Sequence, residues 1–148
     1  MEGYFVLVAF AIGFLVAQIW KTLMGVILDK KSGKTISLGE VVKHFASSGG
    51  MPSGHTASFT GASLCVGTIY GFGSGIFALA VCVWAIVVYD ATHVRYAVGE
   101  QGKALNKLLK KAGDAELPVV NGHTVPQVIV GALLGVVVWM IVMLITKF

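Results

Sequence analysis

The sequence predicts an all-α fold, a polytopic transmembrane helical bundle of about four spans with a helix in one cytoplasmic loop. Composition is the first observation behind this: of 148 residues, 56% are hydrophobic and 12% charged. The mean hydropathy of +0.84 is far above that of a water-soluble domain. The second is that the apolar residues gather into four runs near the roughly 20 residues that cross a bilayer as a helix. The third is that the charged residues lie almost wholly between those runs. A single integral membrane domain over residues 1–148 accounts for the chain, because lipid solvates its outer surface and no water-excluded core is required.

The first run, 4–20, is interrupted only by Gln18. Met1-Glu2-Gly3 ahead of it lacks a basic n-region and no small-residue cleavage site follows, so this run is expected to stay as a membrane helix. The second run, 56–70, is rich in small residues, and the third, 76–89, is almost wholly apolar. Between them Gly71-Phe72-Gly73-Ser74-Gly75 is glycine-dense and uncharged, which suits a tight turn between antiparallel neighbours. The fourth, 125–146, is the longest. Small residues at Gly61, Ala62, Gly67, Gly131, Ala132 and Gly135 let helix backbones approach closely. Cys65 and Cys82 fall inside apolar runs and are expected to pack rather than to pair. Between 99 and 111, Ala104, Leu105, Leu108 and Leu109 recur at helical spacing with lysines between them. That pattern predicts a loop helix with a basic face, suited to an anionic headgroup surface or to solvent.

Loop charge sets the orientation. Lys21, Lys30, Lys31, Lys34 and Lys43 lie in or beside the first loop, and Arg95, Lys103, Lys107, Lys110 and Lys111 in the third. With four spans these loops share a side, and the positive-inside rule puts them in the cytoplasm with both termini outside. The expected location is a bacterial cell membrane. The same rule explains the net charge of +4 without a nucleic-acid partner.

The polar residues that remain mark two helix starts. Ser47-Ser48-Gly49-Gly50-Met51-Pro52-Ser53-Gly54-His55-Thr56 leads into the second run, and Asn121-Gly122-His123-Thr124-Val125-Pro126 into the fourth. Free backbone N–H groups and the positive end of the helix dipole suit an anion such as phosphate. Two such starts on one membrane face, each with a histidine, form a phosphoryl-transfer pair, one imidazole attacking phosphorus and the other protonating the leaving oxygen. Lys21 at the end of the first span and Arg95, the only arginine, supply cations; a guanidinium binds phosphate oxygens in pairs. Asp90 is placed to pair at the interface or to orient Arg95 or a histidine. His44 and His93 have no glycine-rich setting and read as bystanders. His55, His93, His123 and Asp90 include metal-ligand types, but no tight ligand spacing supports a metal.

Pro52-Ser53-Gly54-His55 resembles the central signature of the type 2 phosphatidic acid phosphatase superfamily, which includes vanadium-dependent haloperoxidases. The likeness to its small divergent branch, described as acid phosphatase or vanadium-dependent haloperoxidase-related, covers most of the chain. It runs through Ala17-Gln18-Ile19-Trp20-Lys21, Ser48 to His55, Asp90-Ala91-Thr92-His93-Val94-Arg95 with Gly99-Glu100-Gln101, and Gly122-His123-Thr124 with Gly131-Ala132-Leu133-Leu134-Gly135. The resemblance implies that His55 is the general acid and His123 the nucleophile, with Lys21, Ser53, Gly54 and Arg95 as phosphate contacts and no cofactor. The chain departs from the superfamily pattern at three points, the first being that no Arg-Pro pair follows Lys21 seven residues later. Leu117 stands where an arginine is expected six residues before the nucleophile. Gln127 stands four residues after it, where an acidic residue is expected to orient the imidazole; one helical turn would bring Gln127 beside His123, and its amide can orient the ring without stabilising positive charge.

The function expected is that of a metal-independent lipid phosphatase at the cytoplasmic face, working through a phosphohistidine on a phosphomonoester or pyrophosphate of a lipid. Membrane lipids are then both surroundings and substrate, and oligomerisation is left open. The alternative is a non-catalytic membrane protein that binds a phosphorylated lipid or partner in the same pocket. Vanadate and peroxide chemistry would gain little from a lipid-embedded site.

Overall fold

The computed structural model describes residues 3–46 and 49–147, so the expectations for Met1, Glu2, Ser47 and Ser48 lie outside the described residues. Those described form helices and loops and no strand. In chain order the helices are α1 (Gly3–Lys31), α2 (Leu38–Ala46), α3 (Gly54–Tyr70), α4 (Gly75–Tyr89), a π-helical turn (Asp90–Val94), α5 (Arg95–Ala112) and α6 (Val125–Thr146). α1, α6 and the continuous helix Gly75–Ala112 are long and apolar enough to cross a membrane. α3, with 17 residues, is the short fourth helix of the bundle and packs against α1, α4 and α6.

α3 is the centre, and its composition explains why. Its buried residues are small, running from Gly54 through Ala57, Gly61 and Ala62 to Gly67, whereas α4 buries none of its own. A small-residue helix lets three neighbours come close, which in lipid must replace the hydrophobic driving force available in water. At the α3–α6 crossing a Cβ on Gly135 would lie 2.6 Å from Ala57 O and 3.1 Å from Gly61 N, and one on Gly61 would lie 3.3 Å from Gly135 O. The hydroxyls of α3 serve as polar glue. Trp84 Nε1 of α4 donates to Thr60 Oγ1 at 2.8 Å, and Trp139 Nε1 of α6 donates to Thr68 Oγ1 at 3.0 Å. Such interhelical bonds are worth on the order of 0.5–2 kcal/mol each.

Two boundaries differ from expectation. α1 runs on past Trp20 to Lys31 and α2 folds back against it. Asp29 accepts from Lys34 Nζ at 2.9 Å and lies 2.7 Å from His44 Nε2, and Gln18 Nε2 donates to Phe45 O. The expected basic loop helix is not separate. It continues α4 through the π turn as one 38-residue helix, about 57 Å long at a rise of ~1.5 Å per residue. That exceeds the ~30 Å hydrocarbon layer, so the basic α5 half stands beyond it. Cys65 is buried as expected, but Cys82 is exposed on α4, whose outer face is left to lipid.

Gly135→Ala should lower stability by about 1–3 kcal/mol, because the added carbon meets backbone that cannot yield. Gly75→Ala, with open space around its Cβ, should leave the unfolding midpoint in detergent unchanged.

Candidate active site

α3 and α6 start side by side, and hydrogen bonds fix their register. Ser53 caps α3 with extended backbone (φ −70°, ψ 115°), its Oγ accepting from Thr56 N–H and from Thr56 Oγ1 at 2.9 Å. Ser53 N–H donates to Gln127 O at 3.1 Å. α6 lies directly on that turn, since a Cβ on Gly131 would be 2.6 Å from Ser53 O. His55, the second residue of α3, and His123, just ahead of α6, therefore reach the same end of the bundle.

The π turn locks His123 from the other side. His123 N–H donates to Ala91 O at 2.9 Å, and Gly122 lies against the following helical turn, where a Cβ would be 2.2 Å from Tyr96 N. Only glycine fits there. An inserted π turn shifts the helical register and recurs at functional sites; here it sits where the helix passes the His123 segment and precedes Arg95. Asp90 Oδ2 accepts from Arg95 Nε at 2.5 Å, which holds the guanidinium.

Together these elements enclose a cavity of about 160 Å³, with Lys21, Gly54, His55, Arg95 and His123 on its wall beside Phe14, Gln18, Ala46, Gly49 and Asn121. The volume is more than ten times the ~10–15 Å³ that holds one water. The wall carries two cations and no carboxylate. His123 is 5% exposed, and neither ring nitrogen has a hydrogen-bond partner among the described residues. Burial, followed by the nearby charges of Lys21, His55 and Arg95, pushes its pKa from 6.5 down to about 4, so the ring is neutral at pH 7. Phe14 meets His55 edge-on at 6.4 Å.

Two expected site residues stand elsewhere. The Ser53 side chain is fully buried and spent on the α3 cap, so it positions Gly54 and His55 and does not reach the cavity wall. Gln127 makes no hydrogen bond to the His123 ring. Its Oε1 accepts from Thr124 N–H at 3.1 Å, as the third residue of a capping box does. The one-turn rule fails because His123 precedes the helix. Asn106 explains the departure at Leu117: its side chain bonds both Leu117 N–H and Leu117 O at 2.9 Å, clipping that segment along α5, while the site's guanidinium comes from the π turn.

Sequence reasoning did not assign Gln18, Phe14 or Asn121 to the wall. The signal for Gln18 was its place as the one polar interruption of the first run, since Phe14, Gln18 and Lys21 share a helix face at spacings of four and three. The metal-capable residues considered from sequence do not cluster. His93 stacks on Tyr89 at 4.4 Å, and the group that geometry does gather, Asp29, Glu40 and His44, belongs to the α1–α2 contact and not to the cavity wall.

The chain is 33% identical over 112 residues to the uncharacterized membrane protein YuiD of Bacillus subtilis (strain 168), covering 64% of this chain and 71% of that one. No solved structure matches it. The model of the Divergent PAP2 family matches residues 3–138, which takes in both histidines, both cations and every helix start at the cavity, and the chain belongs to that family.

Proposed function

We propose that this protein is a lipid phosphatase of the membrane, hydrolysing a phosphomonoester or pyrophosphate of a lipid at the cytoplasmic face through a phosphohistidine. The observation that carries this reading is His123, a buried imidazole with neither nitrogen bonded among the described residues in a cavity shared with His55, Lys21 and Arg95. A structural histidine so buried would be expected to have a partner. The membrane setting favours a lipid substrate.

The chemistry follows from the wall. Lys21, Arg95 and the free N–H groups at the start of α3 neutralise the phosphate oxygens. The neutral His123 ring offers its lone pair to phosphorus, and the P–O bond to the lipid alcohol breaks as His55 gives that oxygen a proton. His55 then takes a proton from water, which attacks the phosphohistidine and releases inorganic phosphate. Asp90 acts through Arg95 as a positioning residue.

Purified protein should release phosphate from at least one phosphorylated lipid with divalent ions chelated. His123→Ala and His55→Ala should each lower turnover by at least about a hundredfold, and an acid-labile phosphoprotein should be trapped in His55→Ala but not in His123→Ala. Tight lipid binding with no release by the wild type would instead favour the non-catalytic alternative.

The depressed pKa of His123 gives a pH signature. An unfolded histidine takes up its proton near 6.5 and the folded one only near 4. The nucleophile therefore stays neutral through that window, and the acid limb of kcat/KM due to His123 should fall near pH 4. In the same window the unfolded state binds the proton first, so stability should decline as pH drops from 6.5 toward 4.

The cytoplasmic placement predicts that a cysteine at Ser32 is shielded from an impermeant thiol reagent in intact cells while one at Gly73 is labelled. The opposite pattern would put the site on the outer face.

A further inference from the structure

Two cations, Lys21 and Arg95, stand on the cavity wall, and Gln18 on the same wall carries a buried acceptor with no donor among the described residues. Gln18 is 6% exposed. Its Nε2 is committed to Phe45 O, which fixes the amide and leaves Oε1 without a donor beside the cavity that Gln18 lines. Oε1 is buried and has no hydrogen-bond partner among the described residues. It lies at the start of α3, where a Cβ built on Gly54 would be 3.7 Å from it. An acceptor buried without a donor is costly, and everything around it is arranged to hold an anion.

We infer that Gln18 Oε1 accepts a hydrogen bond from a P–OH group of the bound anion, so that the site selects a protonated phosphate over anions of similar size that carry no proton. The inference rests on the phosphate-handling reading above and narrows its substrate to the monoanion of a terminal phosphomonoester, whose second ionisation lies near about pH 6. A phosphodiester or sulfate has no proton to give at that pH and brings an oxygen lone pair against Oε1. A site built around a hydroxyl rejects an analogue lacking it more strongly than it rejects a change in size.

The test is calorimetric titration of the purified full-length chain in detergent with inorganic phosphate and with sulfate at about pH 6. The wild type should bind phosphate at least about tenfold more tightly than sulfate, the scale of one hydrogen bond to a charged group. Gln18→Met, similar in length but with no oxygen acceptor, should bring the two affinities together. Gln18→Glu keeps an acceptor and should keep the preference, though both anions bind more weakly. His44→Ala weakens the α2 contact with Asp29 without removing a wall side chain and should keep the wild-type ratio, which separates loss of the acceptor from loosening of the Phe45 contact. Equal affinities in the wild type, or a preference that survives in Gln18→Met, would overturn the assignment to Gln18 alone. Failure of both anions to bind would overturn the phosphate-handling reading and this inference with it.

Discussion

The crossing of α3 and α6 is the constraint on which the rest of the structure depends. Lipid gives two apolar helices little reason to associate, so contact requires backbones that touch and polar groups that bond. Gly131 and Gly135 bring α6 onto the backbone of α3, and any Cβ at either would come within 2.6 Å of a carbonyl oxygen. The Ser53–Gln127 backbone bond then fixes the two helices lengthwise. Because both start at that end, two helix dipoles and two histidines are placed together by packing alone, before any phosphate is present.

The π turn makes the second decision. In an unbroken α-helix, residues 90–95 would follow the register of α4, whose outer face is exposed. The turn changes that register just before Arg95, and Ala91 O receives His123 N–H at the same place. One local irregularity thus sets a cation, through Asp90, and His123, through its backbone. Gly122 completes the contact, and its lack of a side chain is a steric requirement there.

The cavity that results opposes stability and favours chemistry. Two cations share a half-enclosed space with an imidazole that has no hydrogen-bond partner among the described residues, and the cost appears as the pKa of His123 near 4. Buried polar groups in native proteins are nearly all paired. Those unpaired here, His123 and the Gln18 oxygen, both stand on one wall, the distribution expected where pairing is completed by a ligand. Gln127 shows the contrary case: a residue aligned by motif with an orienting role is used instead to cap a helix, its Oε1 accepting from Thr124 N–H and not from the imidazole of His123.

The sequence by itself determined the membrane class, the all-helical fold, the glycine-rich helix starts and five of the cavity residues: Lys21, Gly54, His55, Arg95 and His123. These are properties of local pattern: hydropathy sets where a helix can cross, and glycine with a hydroxyl or imidazole marks where it begins. Tertiary structure alone decided that α4 and α5 are one helix and that α2 folds back on α1. It also decided that Ser53 and Gln127 hold helix ends while Gln18 faces the cavity. The physical reason is that a side chain's partner is set by what lies across a helix interface, which spacing along one chain segment does not specify. At residue 127 the spacing rule assumed a helix that begins before His123, and the chain turns helical only after Thr124.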